Sequence, residues 1–405
     1  MADTYVTRSL ESTFRSALTQ FPAVVVTGPR QAGKTTMVRQ VLGTHASYVT
    51  LEDPDVREAA VTDPRGFLAA YDSPLILDEV QRAPSLLPYL QTMIDADRRS
   101  VGRFILTGSQ NLALLETVSQ TLAGRSAVLQ LMPFSSREID GSPEAPLPWE
   151  DTPRVGTTRD APTLFARLLR SGFPDPALAH TDPALWFPSY VATYIERDLR
   201  TMRQVGDLLT FQRFMRVVAA RTGTILDLTD ISREVGVALN TAKAWLSVLV
   251  ASHLVMLLPP YHANVGKRLV KRPKLYLTDV GLACYLTGIT TPEAAIGGPM
   301  SGALFETAMV AEVHATLLAR GMTPELYFWN VSGRTEIDLL VRHDAHLVPL
   351  EAKLNATPTP HVARPITELK ALLPQVIADS GFVVHPGTSE LPLGPHVRAL
   401  PFSSL

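Results

Sequence analysis

The first third of the chain alternates short apolar runs with longer segments in which apolar residues recur at helical spacing. The runs at 23–27, 47–51, 74–78 and 103–107 are rich in Val, Ile and Leu and are typical of buried strands. A short amphipathic helix is predicted over 8–20, and further helices are predicted between the strands. Strands that alternate with helices predict an α/β fold with a parallel sheet.

The rest of the chain predicts several further segments. Residues 140–163 hold five Pro and two Gly and predict a loop or linker. From 163 to about 222 the pattern is helical, with turn residues at 172–174, and 224–285 predicts a compact unit of helices that ends in strands. The last part predicts a helix followed by strands, at 302–321, 326–331, 336–342 and 346–352.

Composition narrows the possible classes of protein. The chain has 405 residues, and 37 Lys and Arg nearly balance 39 Asp and Glu, for a net charge of −2. This excludes a globally basic nucleic-acid coat and an acidic disordered tail, so any basic surface must be local. One cysteine, Cys284, excludes an intramolecular disulfide framework and fits a reducing cytosol. Because the apolar stretches are well short of the roughly 18 residues of a membrane span, we expect a cytoplasmic protein without a membrane partner; the alternative is a peripheral association with a membrane.

Residues 28–36 read GPRQAGKTT and contain the pattern G-x-x-x-x-G-K-[ST] between a predicted strand and a predicted helix. In this context the pattern predicts a phosphate-binding loop rather than a chance glycine-rich turn, because backbone N–H groups can surround a phosphate at the positive end of the helix. Lys34 would reach the β- and γ-phosphates, and the Thr35 hydroxyl would bind Mg²⁺. The predicted nucleotide-binding residues of this loop are Gly28, Pro29, Arg30, Gln31, Ala32, Gly33, Lys34, Thr35 and Thr36.

Two adjacent acids end the predicted strand at 74–78. Its sequence, LILDE, places Asp78 near the Mg²⁺ and Glu79 where it can polarise the attacking water. The alternative is an acid pair that caps a helix after the strand. Adjacent acids favour an ATPase with an additional strand over a switch GTPase, so we predict ATP and Mg²⁺ as cofactors.

A strand followed by small polar residues, FILTGSQN at 104–111, lies where a γ-phosphate sensor is expected. Ser109, Gln110 or Asn111 could hydrogen-bond the attacking water, or they could simply cap the next helix. Arg125 and Arg197 are candidates for an arginine that contacts the γ-phosphate in cis or in trans. Among 30 arginines, a surface role for either remains the alternative.

Residues 226–258 predict a helix-turn-helix. One helix carries Leu228, Ile231 and Val235, the chain turns at Gly236, and a second helix follows over 240–250. Thr229 is the predicted cap of the first helix. A hairpin-like pair of apolar runs comes next, with HANVGKRLVKR between them, and this order is typical of a winged helix.

Charge in this region favours contact with DNA. The 44 residues from Val235 to Thr278 contain no Asp or Glu, and the local positive charge would neutralise phosphates. The alternative is a winged-helix module that binds a protein or a neighbouring subunit. The basic residues of this stretch are Lys243, Lys267, Arg268, Lys271, Arg272 and Lys274.

Carboxylates and a lysine recur near the C-terminus, in RTEIDLLVRHDAHLVPLEAK at 334–353. Glu351 and Lys353 point to the same side of one strand because they are two residues apart, and hairpin pairing can bring Asp338 beside them. Two carboxylates can bind Mg²⁺, and the lysine can stabilise a pentacovalent phosphate, with Glu306 as a further acid. This D-x₁₂-E-x-K spacing is that of a PD-(D/E)XK nuclease core, although Ile337 replaces the usual Pro; the alternative is a solvated hairpin.

Together, GPRQAGKTT, LILDEVQRAP, FILTGSQN, LAGR, SGFPDP, TYIERDL, the helix-turn-helix and EID…LEAK resemble prokaryotic AAA-type ATP-binding proteins with a C-terminal domain of unknown function, DUF 4143, that has a nuclease-like core. The resemblance implies ATP binding at the phosphate loop, and Mg²⁺ binding and hydrolysis at Asp78 and Glu79. We expect four segments: a P-loop ATPase domain at 1–140, a linker and helical connector at 141–223, a winged helix-turn-helix at 224–290 and a nuclease-like domain at 300–405.

The resulting hypothesis is an ATPase that couples nucleotide state to DNA binding, with metal-dependent cleavage by Asp338, Glu351 and Lys353 left open. A first alternative is a regulatory ATP switch whose nuclease-like domain is inactive and holds partners. A second is a protein-remodelling ATPase that works as a ring, and a homo-oligomer is compatible with each.

Overall fold

The computed structural model describes residues 5–108, 121–150, 159–178, 180–194, 208–262, 272–331 and 335–405. The chain divides into two compact units. The first comprises 1–133 with the short segments 251–253 and 315–322, and the second comprises 134–250, 254–314 and 323–405. The finer division into four segments stays a prediction.

A parallel five-stranded sheet forms the centre of the first unit, in the order β2-β3-β4-β1-β5. The four strands expected from the sequence are confirmed, and the parallel α/β fold with them. The fifth, β5, was not predicted because it is an edge strand with only one fully buried residue. The strands are β1 Ala23–Thr27, β2 Ser47–Thr50, β3 Leu75–Asp78, β4 Phe104–Thr107 and β5 Ser126–Gln130.

Helices cover both faces of this sheet, and alternate strand residues pack against each face. Val25 and Leu77 belong to one apolar cluster, and Val24 and Ile76 to the other. Because both faces are buried, the central strands are continuously apolar, which is why their sequences were recognisable. The helices of this unit are α1 Leu10–Leu18, α2 Lys34–Leu42, α3 Pro54–Thr62, α4 Pro64–Ala69 and α5 Leu87–Ala96.

The second unit begins with helices and a small sheet. Buried Asp279 caps α13 by accepting a hydrogen bond from the backbone N–H of Leu282 at 2.7 Å. Its other oxygen accepts from the Ser171 hydroxyl and from the Gly172 N–H, both at 2.8 Å, so this carboxylate fixes the turn at 171–174. The helices are α6 Ser136–Ile139, α7 Ala161–Arg170, α8 Pro174–Ala177, α9 Pro183–Tyr194, α10 Leu208–Ala220, α11 Leu228–Val235, α12 Leu239–Ala251, α13 Val280–Thr287 and α14 Pro292–Gly297.

The two helices predicted over 226–258 are present as α11 and α12, which are bent by 107° relative to each other. Gly236 ends α11 in the left-handed conformation, as expected for the turn. The predicted cap was wrong: the Asp227 carboxylate accepts from the N–H groups of Thr229 and Asp230, so Thr229 lies inside the first turn. A three-stranded antiparallel sheet accompanies the pair, in the order β6-β8-β7. Its strands are β6 Thr224–Ile225, β7 Val255–Leu258 and β8 Lys274–Leu277.

A mixed six-stranded sheet forms the C-terminal part of the second unit, in the order β13-β14-β12-β11-β10-β9. The predicted helix and the three strands that follow it are confirmed. Ile366 and Leu369 of α16 pack against Ile337 and Leu340 of the sheet. The elements are α15 Ser301–Ala319, β9 Leu326–Val331, β10 Thr335–His343, β11 His346–Ala352, α16 Arg364–Leu372, β12 Gly381–His385, β13 Leu391–Pro392 and β14 Val397–Pro401.

Within the described ranges, no single helix is both long and apolar enough to cross a membrane. Only when α11 and α12 are counted together do they reach the length and apolar composition of a membrane span, and they are bent by 107° at the break between them.

Candidate functional site

The phosphate loop connects β1 to α2 in the first unit. Gly28 has φ of +140°, and a Cβ atom there would lie 2.1 Å from the carbonyl oxygen of Leu131, so only glycine fits. Gly33 has φ of +88° and precedes the first turn of α2. The ammonium group of Lys34 donates to the carbonyls of Gly28 at 3.1 Å and Pro29 at 2.8 Å. The loop is thus curled around its own lysine, at the positive end of α2.

Arg8 anchors this loop from the segment before α1. Its side chain is 3% exposed and donates to the carbonyl of Ala32 at 2.9 Å and to that of Met132 at 2.6 Å. The Arg8 guanidinium therefore connects the phosphate loop to Met132, in the segment that follows β5. The sequence contained no motif that marks Arg8, and we did not predict this role.

Asp78 is the centre of a hydrogen-bond network at the carboxyl edge of the sheet. Its Oδ1 accepts from the Thr35 hydroxyl at 2.8 Å and from the Thr107 hydroxyl, and its Oδ2 accepts from the Tyr48 hydroxyl at 2.9 Å. Burial and the adjacent carboxylate raise the pKa of Tyr48 to about 12, so its proton stays on the phenol. Asp78 and Thr107 end the neighbouring parallel strands β3 and β4 at this edge. Tyr48 is the second residue of β2, in register with Ile76, and its long side chain reaches Asp78 from there.

The two residues that were predicted to hold Mg²⁺, Thr35 and Asp78, are therefore in direct contact. A hydroxyl and a carboxylate are the hard oxygen ligands that Mg²⁺ prefers, and the nucleotide phosphates would supply others. The donor set fits the ion. Tyr48 and Thr107 were not predicted, although Thr107 ends one recognised strand and Tyr48 lies within another.

Glu79 follows Asp78 and has a left-handed backbone, with φ of +54° and ψ of +45°. A glutamate adopts this conformation at a cost, and such strain is concentrated at functional sites. The side-chain amide of Gln81 donates to Glu79 Oε2. The backbone turn thus takes Glu79 out of the strand, and a neighbouring amide holds its carboxylate.

Arg125 does not contact the phosphate loop of its own chain. It lies just before β5, where its carbonyl accepts from the N–H of Ala23 at the amino edge of the sheet. Five strand residues at about 3.3 Å each separate the two edges. Both oxygens of Asp95 accept from its guanidinium at 2.8 Å. The prediction of an arginine acting in cis is therefore wrong for Arg125, whereas action in trans stays a prediction.

Some predicted residues lie outside the described part of the chain. These are Ser109, Gln110, Asn111, Arg197, Lys267, Arg268 and Lys271.

The predicted C-terminal cluster is assembled in the second unit. The β10–β11 register pairs Leu339 with Leu350, which makes Asp338 and Glu351 neighbours on adjacent strands. Asp338 Oδ2 accepts from the backbone N–H of Ala352 at 2.9 Å, and Glu351 Oε2 accepts from the ammonium group of Lys353 at 2.9 Å. The three side chains that were predicted to act together do converge.

Glu351 is an unusual carboxylic acid, because it is 2% exposed and no donor reaches its Oε1. Burial, and then the negative charge of Asp338, raise the pKa of Glu351 well above its ordinary value. Burial alone would lower the pKa of Lys353, but the charges of Glu351 and Asp338 outweigh it and raise that pKa. Glu306, on α15, has its pKa raised to about 7 by burial and by Asp338.

Lys274 was predicted to belong to a basic DNA-binding face, and this was wrong. Its side chain is 4% exposed, and its ammonium group lies 2.8 Å from Glu306 Oε1, 2.5 Å from Glu336 Oε1 and 3.9 Å from Asp338 Oδ1. A buried ammonium group must be paired, and here acids from α15 and β10 pair with it. The absence of acids near Lys274 in sequence did not reveal its partners, because all three come from later elements.

The role of Arg272 in the predicted basic face stays a prediction, because its side chain is exposed although it forms a surface ion pair. Its guanidinium lies 2.5 Å from the carboxylate of Asp227, the residue that caps α11. Lys243, on α12, is exposed. Within the described ranges, no group of three or more His, Cys, Asp or Glu side chains is arranged to hold a metal ion. The metal-binding role of Asp338 and Glu351 therefore stays a prediction that rests on two ligands.

Family models match three parts of the chain: an AAA domain at 20–140, a domain of unknown function (DUF8612) at 161–293 and a second domain of unknown function (DUF4143) at 301–405. The uncharacterized protein Rv2008c of Mycobacterium tuberculosis is 32% identical over 397 residues, which cover 97% of this chain and 83% of that protein. The chain belongs to this family of AAA-domain proteins with a C-terminal DUF4143 domain. The uncharacterized protein Mb2031c of Mycobacterium bovis matches to the same extent.

The solved structures that match this chain have low sequence identity and low TM-scores. The Walker-type ATPase paby2304 of Pyrococcus abyssi is 14% identical with a TM-score of 0.43, over 70% of this chain and 97% of that one. The RuvB Holliday junction branch migration motor of Thermotoga maritima is 17% identical with a TM-score of 0.28, over 61% of this chain and 88% of that one. At these scores the similarity carries no functional inference.

The Asp78 network and the cluster of acids around Lys274 lie in different family domains. The residues of the Asp78 network lie in the AAA domain, whose family supports ATPase activity. The carboxylates around Lys274 lie in the DUF4143 domain, whereas Lys274 itself lies in the DUF8612 domain. The lysine of one family domain thus completes the acidic cluster of the next.

Proposed function

We propose that the protein binds ATP with Mg²⁺ at the phosphate loop and hydrolyses it. The observation that carries the proposal is the hydrogen bond of 2.8 Å between Thr35 and Asp78, beside a phosphate loop that contains Lys34. Nucleotide phosphates would replace the Gly28 and Pro29 carbonyls as partners of the Lys34 ammonium group. Thr35 and Asp78 would hold Mg²⁺, which when bound neutralises charge on the transferred phosphate.

Glu79 would accept a proton from the attacking water or orient that water for attack on the γ-phosphate. Its left-handed backbone turns it away from the strand direction that Asp78 follows. Gln81 would hold the carboxylate until substrate is in place, because its amide donates to Glu79 Oε2.

Two variants test this assignment through binding and hydrolysis separately. Lys34→Ala is expected to lose ATP binding, measured with a fluorescent ATP analogue. Glu79→Gln is expected to keep binding and to lose phosphate release by roughly two orders of magnitude or more. Lys370→Ala is the matched control, because Lys370 lies in the DUF4143 domain and pairs with Asp379 at 2.6 Å. Lys34→Ala protein that binds ATP as wild type does would contradict the proposal.

We further propose that nucleotide state is coupled to DNA binding through α11, α12 and the small sheet, as a winged helix-turn-helix. The bend of 107° is within the range of such motifs, and Asn240, Lys243 and Ser247 form an exposed polar face of α12. The basic residues at 267, 268 and 271 belong to the loop between β7 and β8 in sequence. The exposed face of α12 and these basic residues would contact the DNA phosphates, and Lys274 would not.

The DNA proposal predicts binding whose affinity falls as salt rises. Lys243→Glu is expected to weaken the binding of a labelled duplex in fluorescence anisotropy and to reduce the salt slope by about one. Lys370→Glu makes the same charge change outside this face and should leave both unchanged. Absence of duplex binding at low salt, with and without ATP, would favour the protein-remodelling alternative.

For the DUF4143 domain, the ion pairs of Lys274 favour the regulatory alternative, in which the nuclease-like core holds a partner without cleavage. Glu306 and Asp338, two acids that a metal-dependent nuclease would need free, are paired with this lysine. A nuclease assay with Mg²⁺ or Mn²⁺ decides between the alternatives. Cleavage that disappears in Asp338→Ala and in Lys353→Ala would reinstate the nuclease hypothesis.

A further inference from the structure

Four carboxylates and two ammonium groups meet in the DUF4143 core, among the residues that the structure describes. Lys353 pairs with Glu351 from the same strand, as the sequence spacing predicts. Lys274 comes from a different sheet and family domain, and it lies among Glu306, Glu336 and Asp338. The second cation of the cluster is therefore supplied from outside the D-x₁₂-E-x-K pattern.

Strand β8 places the Lys274 ammonium group in this cluster. Lys274 and Tyr276 are two residues apart, so they point to the same side of the strand. The Tyr276 hydroxyl donates to Glu306 Oε1 at 2.5 Å, and the Lys274 ammonium group donates to the same oxygen at 2.8 Å. Phe328 places its ring 5.6 Å from the ammonium nitrogen. The acceptor Glu306 Oε1, which also binds the Tyr276 hydroxyl, and the adjacent Phe328 ring form a binding site that suits the ammonium group of a lysine.

A divalent cation and this lysine would compete for the same oxygens. Glu306 Oε1 is occupied by two donors, and Asp338 faces Lys274 through Oδ1 and the Ala352 N–H through Oδ2. Any ion bound to Glu306 and Asp338 would lie within a few ångströms of a buried ammonium group and would be repelled strongly. The buried Oε1 of Glu351, next to Asp338, has no hydrogen-bond donor and is directed into this cluster of acids.

We propose that Lys274 is a built-in cation that occupies the carboxylate pocket of the DUF4143 domain in place of a divalent metal ion. The pocket is then a latent metal site: with Lys274 in place, the described acids are not arranged to hold a metal ion. Glu306, Asp338 and Glu351 would become its ligands when Lys274 is withdrawn. This role is independent of ATP hydrolysis, which uses residues of the AAA domain. It also gives a physical reason for a nuclease-like core without cleavage.

The test is a Mn²⁺ titration of the full chain, followed by the electron paramagnetic resonance signal of free Mn²⁺. All proteins carry Asp78→Asn, so that metal at the phosphate loop is not counted. Lys274→Met is expected to gain one Mn²⁺ site that binds at least roughly tenfold more tightly than any site in the Lys274-containing protein. Adding Asp338→Asn should remove the gained site. Lys370→Met, which removes a lysine elsewhere in the DUF4143 domain, should gain no Mn²⁺ site.

Folding of each variant is checked by circular dichroism. A folded Lys274→Met protein that binds no Mn²⁺ at millimolar concentration would overturn the proposal. If Lys274→Met does not fold, Lys274→Gln takes its place, because it keeps a hydrogen-bond donor and removes the charge. The titration of the Lys274-containing protein needs neither variant: a Mn²⁺ site already present there, and abolished by Asp338→Asn, would also overturn the proposal.

Discussion

The hydroxyl of Thr35 donates a hydrogen bond of 2.8 Å to Asp78 Oδ1, and this contact joins the first turn of α2 to the end of β3. Thr107 and Tyr48 donate to the same carboxylate from β4 and β2. Every hydroxyl in this network belongs to an element that ends or begins at one edge of the sheet. The AAA domain therefore positions the Asp78 carboxylate through backbone topology together with three hydroxyl groups.

Tyr48→Phe is expected to lower the rate of ATP hydrolysis about fivefold, because Asp78 loses the only donor to its Oδ2 among the described residues. The hydroxyl is near the surface, so the free energy of unfolding should change by no more than about 1 kcal/mol. Steady-state phosphate release at several Mg²⁺ concentrations checks this, and the Mg²⁺ concentration for half-maximal rate should shift. Tyr71→Phe is the control, since Tyr71 packs edge-on against Phe67. Equal Mg²⁺ dependence in both variants would exclude a positioning role for Tyr48.

Gly28→Ala is expected to abolish ATP binding and to destabilise the AAA domain by about 3 kcal/mol or more. The new Cβ atom would lie 2.1 Å from the Leu131 carbonyl oxygen, and alanine is strained at φ of +140°. The matched control is Gly43→Ala, where φ is +60° and no atom lies within 4 Å of the new Cβ. With ψ of −144°, Gly43 lies outside the left-handed helical region, so that variant should lose about 2 kcal/mol from backbone strain alone and keep ATP binding. Urea unfolding and nucleotide titration measure the two effects; similar losses in both variants would contradict the close-contact argument.

The arrangement of the proposed ATP site could be predicted from sequence because each of its motifs is local. The phosphate loop and the pair Asp78 and Glu79 each adjoin a buried strand, and parallel strands bring their ends to one edge. Arg125 was misplaced because its distance from the loop depends on β5, an edge strand that the hydrophobic pattern did not reveal. Tyr48 lies within a recognised strand, but an aromatic residue there is also typical of ordinary packing.

The DUF4143 cluster was predicted in part for the same reason. Asp338, Glu351 and Lys353 are brought together by one hairpin, and strand periodicity was enough to infer that. Lys274 was assigned to the wrong surface because its partners are 32 or more residues away in sequence. Lack of nearby acids suggested a free basic residue, whereas the long-range fold buries it among carboxylates.

Arg8→Met is expected to destabilise the AAA domain by about 2–4 kcal/mol and to weaken ATP binding. The substitution leaves the carbonyls of Ala32 and Met132 without the buried guanidinium that they share, and Ala32 lies in the phosphate loop. Arg15→Met, on the exposed face of α1, should change the free energy of unfolding by less than about 0.5 kcal/mol. Urea unfolding and ATP titration compare the two. An Arg8→Met protein with unchanged ATP affinity would show that the loop keeps its shape without this anchor.

The stability of the second unit should fall in mild acid because of His314, on α15. Burial lowers the pKa of His314 from 6.5 to about 4, so the folded chain keeps the imidazole neutral where the unfolded chain binds a proton. Proton uptake by the unfolded state therefore favours unfolding as pH falls through that window, and the contribution is complete above pH 6.5 and lost near 4. Because the side chain is not fully inaccessible, we expect about 2 kcal/mol rather than the full linkage value.

The measurement is the difference in free energy of unfolding between wild type and His314→Gln, obtained by urea titration at several pH values. Other titrating groups cancel in that difference, so wild type should lose about 2 kcal/mol relative to the variant between neutral pH and about pH 4.5. His361→Gln, at an exposed position, should show no such trend relative to wild type. If the difference for His314→Gln is independent of pH, the imidazole is not held neutral by burial. A difference that grows in the opposite direction would mean that the folded state stabilises the charged form.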